Sequence, residues 1–329
     1  MPLKTPLNFI LLTAALLLIA VLALCCGSTP ETAAELRGLF SGGTLSGASR
    51  IVLLEIRLPR IIGAAAAGIL LASAGCAVQL IFRNPLSSPH VLGSVNASAL
   101  GAVAVMALGG VSLASLLAGG FAGAVLVLGV LLLITCRRDT VTLLLAGIAL
   151  NAFASAAMSG ILFVAGERLE GLVFWLLGGF WRLDWLQCSV LLGICVPVLC
   201  ILYIFRREMN MLYLGENAAA TAGVNTRRVV FFAVLSVTLA TAAVVSCCGV
   251  IGFVGLLVPH MARRIFGGEF AASLTGSALL GACLMILSDL IGRMLVPPLE
   301  IPVGVLTALI GAPFFLMLIL GKMRGYGVR

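Results

Sequence analysis

Few side chains in this sequence have the types and spacing that carry enzyme chemistry. The two histidines, His90 and His260, are far apart and lack metal-ligand spacing. The ten cysteines form no C-x-x-C pair, and nearly all lie in or beside apolar runs, where cysteine behaves as a small hydrophobic residue. No nucleophile, base and orienting group can be assembled. The sequence therefore predicts no catalytic residue, no metal site and no disulfide framework.

One glycine pattern matches the opening of a nucleotide-binding loop. Gly63 and Gly68 have the spacing of the motif G-x-x-x-x-G-K-[ST], but Ile69 and Leu70 stand where the motif needs Lys and Ser or Thr. Those missing side chains are the ones that contact phosphate and Mg²⁺. We therefore expect an Ala-rich helix here, with no nucleotide site and no cofactor bound by this chain.

One pair of ionisable residues lies inside an apolar segment. Asp289 precedes Arg293 by four residues, so both fall on one helical face and can pair. A lone carboxylate inside the membrane would suit an ion-coupled carrier. A charge pair near the outer end of a helix, with Arg293 close enough to reach the interface, is the interpretation that we favour.

The elements that position these residues are predicted to be membrane helices. Of the 329 residues, 62% are hydrophobic and only 10% are charged, whereas soluble domains carry about 25% charged residues. Too few polar side chains remain to cover a soluble protein, so lipid must contact much of the surface. The net charge of +8 comes from basic residues scattered between apolar runs, which fits membrane topology and argues against nucleic-acid binding.

A membrane-spanning helix needs about 20 mainly apolar residues. On that basis the sequence predicts an all-α polytopic protein, organised as one transmembrane domain over 1–329. The run 171–181 is too short to span and is predicted to be a partial or interfacial helix. The first span is longer than a signal-peptide core and is expected to be retained. The ten predicted spans are 9–26, 61–82, 91–110, 112–135, 141–164, 183–205, 228–247, 249–265, 271–293 and 302–321.

The distribution of Lys and Arg predicts the orientation. With the N-terminus in the cytoplasm, most of the 20 basic residues fall on the inside, and ten spans then place both termini there. The two longest connections lie on opposite sides, 27–50 outside and 206–228 inside. The inner one is long enough for a short helix that docks a partner.

Five sequence blocks occur in a fixed order between residues 57 and 315 and together resemble a known family. Their most distinctive parts are Arg57-Leu58-Pro59-Arg60 with Arg83-Asn84-Pro85-Leu86, Ala146-Gly147-Ile148-Ala149-Leu150-Asn151, Asn210-Met211-Leu212 with Leu214-Gly215-Glu216, Val258-Pro259-His260, and Glu300 with Gly311-Ala312-Pro313-Phe314-Phe315. The sequence resembles the FecCD family, the permeases of iron-siderophore, heme and cobalamin ABC importers.

The resemblance implies the fold and partners of a type II importer permease. It implies a homodimer or a pair with a paralogous permease, two cytoplasmic ATP-binding subunits and an extracytoplasmic substrate-binding protein. ATP and Mg²⁺ would be bound by the partner ATPase, and this chain would not be an enzyme. The implied cargo is a ferric siderophore or heme-type chelate, with cobalamin as the alternative. An ion-coupled secondary carrier is a third hypothesis. The expected location is the plasma membrane, a bacterial inner membrane.

Two sets of docking residues follow from the resemblance. Arg57, Arg60 and Arg293 fall at outer helix ends and are predicted to bind carboxylates of the binding protein, because guanidinium groups pair bidentately with carboxylates; ordinary snorkelling is the alternative. The segment 214–224 is predicted to be the coupling helix that docks the ATPase, with a plain connector as the alternative. Its named residues are Leu214, Gly215, Glu216, Ala219 and Gly223.

A third set of residues is predicted to shape the pathway or its inner gate. Prolines at cytoplasmic span ends permit bends, although simple helix termination explains them equally well. Glycines permit close helix approach, so they either line the path or pack against a neighbouring helix. The candidates are Asn84, Pro85, Gly252, Gly255, Pro259 and His260.

Overall fold

The computed structural model describes residues 4–26, 47–135 and 140–326, and in these residues the fold is built from helices. Most of the predicted outer connection 27–50 lies outside the described residues. In chain order the helices are α1 (Lys4–Cys25), α2 (Gly47–Ile51), α3 (Leu58–Ile81), α4 (Ser94–Ala107), α5 (Leu113–Thr135), α6 (Thr140–Val164), α7 (Leu169–Leu176), α8 (Trp185–Ile204), α9 (Arg206–Tyr213), α10 (Glu216–Thr221), α11 (Thr226–Cys248), α12 (Val254–Phe266), α13 (Phe270–Met294) and α14 (Val303–Tyr326).

The predicted all-α membrane architecture is confirmed. Each of the ten predicted spans contains one of the longer helices, and α7 corresponds to the predicted partial helix. Within the described residues, seven helices are long and apolar enough to cross a membrane. The spans predicted at 91–110 and 249–265 contain shorter helices, α4 and α12, because glycine-containing turns precede both.

Left-handed backbone explains why these two helices begin late. Gly93 has φ 75° and follows a 3-10 turn, so α4 begins at Ser94. Gly249 has φ 74° and Phe253 has φ 64°, so the chain between α11 and α12 is not helical. The break between the predicted spans 228–247 and 249–265 is thus observed, and it is longer than the sequence indicated.

Helix α3 lies at the centre of the bundle and is buried along nearly its whole length. Gly63 and Gly68 belong to this continuous helix, as predicted, and form no loop that could cradle a phosphate. A Cβ on Gly68 would lie 2.2 Å from the carbonyl oxygen of Gly281 in α13, and one on Gly75 would lie 1.9 Å from that of Gly255 in α12. Small residues therefore let three helices touch backbone to backbone, as is common in membrane proteins.

Three chain segments meet at a backbone junction beside the end of α7. The N–H of Gly179 donates to the carbonyl of Cys248 at 2.8 Å, and the N–H of Gly304 donates to the carbonyl of Gly178 at 3.1 Å. A Cβ on Gly304 would lie 2.2 Å from the carbonyl oxygen of Leu177. These contacts hold the end of α11 and the start of α14 against the α7 terminus.

We predict that Gly75→Ala destabilises the folded protein. The added methyl group would force α3 away from α12, and overpacking of this kind costs about 1–3 kcal/mol. Gly193→Ala is the matched control, because nothing lies within 4 Å of its added Cβ. The measurement is the thermal midpoint of the purified protein in detergent. Equal midpoints for the two variants would contradict the proposed contact.

Candidate functional site

Packing between α3 and α13 brings an arginine and an aspartate together. The two helices pack through Gly68 and Gly281. Arg60 lies eight residues before the first glycine, and Asp289 lies eight residues after the second. Because eight residues complete just over two helical turns, antiparallel packing places both side chains at the same level. Nε and Nη2 of Arg60 lie 2.9 and 2.7 Å from Oδ1 of Asp289.

Two further charged residues complete this site. Nε of Arg293 lies 3.0 Å from Oδ2 of Asp289, one helical turn earlier, so the pairing predicted from their spacing is confirmed. Oε2 of Glu300 lies 2.9 Å from Nη2 of Arg60. We call Arg60, Asp289, Arg293 and Glu300 the charge network. Its two guanidinium groups and two carboxylates balance, as buried charges require.

The carboxyl end of α1 is bound to the same region by arginines. Nη1 of Arg57 donates to the carbonyl oxygen of Leu24 at 2.7 Å, and Nη2 of Arg293 donates to that of Ala23 at 3.3 Å. The last carbonyls of a helix lack intrahelical partners, and cations there are favourable. Arg57 and Arg293 therefore cap α1 and attach it to α3 and α13.

The three arginines predicted to dock a binding protein do lie together, but they face inward. Arg57, Arg60 and Arg293 are only 3%, 7% and 4% exposed. Their binding of external carboxylates stays a prediction, because the structure gives their guanidinium groups partners within the chain. Sequence reasoning assigned no role to Glu300, although this residue belongs to the last sequence block.

The opposite end of α13 is attached to the segment predicted to couple to an ATPase. Oδ1 of Asn210 in α9 accepts a hydrogen bond from the N–H of Phe270 at 2.8 Å. Glu269 caps the same helix by accepting from the N–H of Ala272 at 3.2 Å. Met209 and Leu212 form the buried face of α9. The segment is thus fixed to the first turn of α13.

The predicted coupling helix 214–224 is shorter than expected. Gly215 has φ 127° and separates α9 from α10, and Gly223 has φ 80° just beyond the end of α10. Glu216 is the first residue of α10, where a carboxylate is favourable. Gly223, one of the residues named for this segment, lies two residues beyond the last residue of α10.

The side chains of this segment divide into an inner and an outer face. Ala219 is fully buried against its own chain, whereas Leu214 is 72% exposed. Ala218 and Ala220 are also exposed. The surface offered to a partner is therefore formed by the neighbours of Ala219. The side chain of Ala219, which the sequence named as a docking residue, instead faces the interior of its own chain.

Gly255 packs against a neighbouring helix rather than lining a pathway. The amide nitrogen of Gln79 in α3 donates to the carbonyl oxygens of Gly255 and Leu256 at 3.3 and 3.0 Å. Nη2 of Arg263 donates to the side-chain oxygen of the same glutamine. Gln79 thus connects α3 with α12, a role that the sequence did not indicate.

Gly252, in contrast, lines an open cavity of about 600 Å³. The end of α7, the non-helical segment after α11 and one face of α14 form its walls. Every residue that lines the cavity is glycine or has an apolar side chain, as Phe253, Ala308 and Pro313 do. The cavity therefore offers no charged side chain to a bound molecule.

The remaining gate candidates lie in the turn after α3 and inside α12, so Pro259 and His260 are not at a helix end as the sequence indicated. Oδ1 of Asn84 accepts from the N–H of Leu86 at 3.0 Å, so this residue and Pro85 form a turn after α3. Pro259 is buried inside α12. The ring of His260 meets that of Phe314 edge-on at 6.3 Å, which joins α12 to α14. Among the residues described, no group of three or more His, Cys, Asp or Glu could hold a metal ion.

We predict that Asp289→Asn destabilises the protein strongly. The substitution would leave Arg60 and Arg293 buried without their shared carboxylate, and breaking a buried pair costs about 3–5 kcal/mol. Glu170→Gln is the control, because Glu170 is exposed. Thermal denaturation in detergent would measure both. A midpoint for Asp289→Asn that matches wild type would count against the network.

Comparisons with known proteins agree with this architecture. The chain matches the model of the FecCD transport family over residues 15–321. It is 38% identical over 278 residues to FecD, the permease protein of the Fe(3+) dicitrate transport system of Escherichia coli K12, covering 83% of this chain and 86% of the relative. It is 36% identical over 315 residues to HmuU, the hemin transport system permease protein of Yersinia pestis, covering 93% of each.

A solved structure gives the same result for the fold. That structure is described as an inward-facing ABC transporter of the metal-chelate type. It superposes with a TM-score of 0.87 at 31% sequence identity, covering 96% of this chain and 99% of the other. The chain is therefore a member of the FecCD transport family.

Proposed function

We propose that this chain is the transmembrane permease subunit of an ATP-driven ABC importer that moves a ferric siderophore or heme-type iron chelate into the cytoplasm. The observation that carries the proposal is the family match over residues 15–321, with relatives named for Fe(3+) dicitrate and hemin transport. Cobalamin import by the same mechanism is the alternative cargo.

The arrangement of α13 supports a role in coupling. Its first turn is attached to α9 through Asn210, and its last two turns carry Asp289 and Arg293 of the charge network. A single helix of 25 residues thus links the segment proposed to dock an ATPase with the site proposed to dock a binding protein. At 1.5 Å per residue, it spans about the thickness of a bilayer core.

The partners follow from surfaces that one chain leaves uncovered. Only 17% of the apolar part of α6 is buried within the chain, and the 600 Å³ cavity is open rather than enclosed. A second copy or a paralogous permease would cover such surfaces and complete a pathway. Two ATP-binding subunits would supply ATP hydrolysis and hold the Mg²⁺, because Ile69 lies inside α3 where a nucleotide loop would need lysine.

The proposed orientation has both termini in the cytoplasm of a plasma membrane, a bacterial inner membrane. Arginines concentrate around the coupling segment and the end of α12, which fits the inner side of the membrane. They are Arg206, Arg207, Arg227, Arg228, Arg263 and Arg264. The exposed segment 206–224 then faces the compartment that holds ATP.

An ion-coupled carrier is disfavoured by the surroundings of Asp289. Such a carrier needs an intramembrane carboxylate that can gain and lose its ion. Asp289 is 2% exposed, and it pairs with Arg60 and Arg293. Its carboxylate is thereby committed to a structural network. An apolar cavity instead suits a bulky chelate whose own ligands cover the metal charge.

We predict that deletion of the gene abolishes ATP-dependent uptake of one iron chelate. The assay compares radiolabelled ferric siderophores and heme with radiolabelled cobalamin in the deletion strain and in the strain with the gene restored. Cobalamin uptake should be unchanged. Loss of cobalamin uptake alone would replace the cargo but keep the importer, and normal uptake of every compound would contradict the proposal.

We also predict that Ala218→Trp uncouples transport from ATP hydrolysis. Ala218 is exposed on the coupling segment, so a large ring there would obstruct a docked ATPase without disturbing the core. Transport-coupled ATP hydrolysis in proteoliposomes should fall roughly tenfold, as for a disrupted interface centre. Ala114→Trp, at an exposed alanine in the first turn of α5, is the matched control. Equal hydrolysis by both variants would remove Ala218 from the docking surface.

A further inference from the structure

The two carboxylates that bind Arg60 differ in depth. The side chain of Asp289 is 2% exposed, whereas that of Glu300 is 29% exposed. Glu300 lies in the connection between α13 and α14, where residues 294–299 are all exposed. Asp289 therefore forms the permanent inner half of the pairing, and Glu300 lies between the Arg60 guanidinium group and the surface.

Glu300 occupies the part of the guanidinium group that faces outward. Nε and Nη2 of Arg60 both donate hydrogen bonds to Asp289. Nη2 also contacts Oε2 of Glu300 at 2.9 Å, and Nη1 donates to Oε1 at 3.2 Å. The contact through two nitrogens and two oxygens is the same fork that an external carboxylate would form with arginine. A second carboxylate cannot bind there while Glu300 remains.

We propose that Glu300 is a built-in competitor for the carboxylate of a docking protein, and that docking displaces it from Arg60. The inference rests on the proposed function, because it assumes a binding protein that offers a carboxylate to the arginines. It adds an autoinhibitory contact to that site. The docking carboxylate would take over the charge of Glu300, so the two guanidinium groups of Arg60 and Arg293 would still face two carboxylates after the exchange.

Glu300 lies close in the chain to the wall of the apolar cavity. The N–H of Ile301 donates to the carbonyl of Gly292 at 3.0 Å, so the connection is attached to α13 immediately after Glu300. Three residues further on, Gly304 begins the cavity-lining face of α14 and donates to Gly178. The carboxylate exchanged on docking is thus separated from the cavity by a few residues of chain.

The test uses Glu300→Gln in the full-length permease, reconstituted in nanodiscs and titrated with the transporter's purified extracytoplasmic binding protein. Glutamine keeps the shape and one acceptor but removes the charge that holds Arg60. We expect the Kd to fall roughly three- to tenfold, as for loss of a partly exposed competing ion pair. The melting temperature is measured in parallel, and Glu300→Ala provides a second variant if Gln still binds Arg60.

Glu55→Gln is the matched control for charge alone. Glu55 is exposed two residues before Arg57, so its loss removes the same charge near the same arginines. Its Kd should change less than about twofold, because exposed charges at a distance are screened by salt. An equal gain in affinity for both variants would overturn the proposal, since the effect would then be general electrostatics.

A second readout does not depend on the binding protein. Phenylglyoxal modifies accessible arginines, and mass spectrometry gives the rate for Arg60 relative to exposed Arg50. Arg60 should react faster in Glu300→Gln than in wild type. Equal rates would overturn the shielding of Arg60 by Glu300, and faster labelling with an unchanged Kd would overturn the competition. A wild-type permease that does not bind the protein would contradict the proposed function, and the labelling would still test the shielding.

Discussion

Backbone contact between α3 and α13 is the constraint on which the rest of this structure depends. The helices approach closely because Gly68 and Gly281 have no side chains. Their antiparallel register then repeats every eight residues in both directions, which places Arg60 against Asp289 at one end and Cys76 beside Ser273 at the other, at 3.6 Å. A shift of one residue along either helix would separate Arg60 from its carboxylate and leave charges unpaired inside the membrane.

The buried charges of this protein are tolerated because each has a partner, and the partners come from three helices and one connection. Asp289 accepts hydrogen bonds from Arg60 and forms an ion pair with Arg293, and Arg293 also donates to the carbonyl of Ala23 at the end of α1. Removing any one partner would leave another unsatisfied in a low-dielectric environment. The network therefore joins α1, α3, α13 and the start of α14 more specifically than apolar packing in lipid can, where helices gain little from the hydrophobic effect.

The sequence predicts this fold better than it predicts the site. The length of an apolar run is a local property, so the helices within the ten predicted spans and the break between 228–247 and 249–265 could be identified directly. The partners of the arginines could not, because Arg60 and Asp289 are 229 residues apart and Arg293 and Ala23 are 270 apart. Spacing placed the arginines at helix ends without revealing that Glu300 covers Arg60. Helical periodicity likewise left open which way Ala219 faces.

The junction at Gly178, Gly249 and Gly304 tolerates substitution much less than the cavity wall beside it. At these positions the contacts are made by backbone atoms, and any side chain would collide with a neighbouring carbonyl. The cavity wall beside them is made of side chains such as Phe253, Ala308 and Leu309, which can change size without moving that backbone. Descendants of this scaffold can therefore diverge in the shape of what they admit while inheriting an unchanged frame.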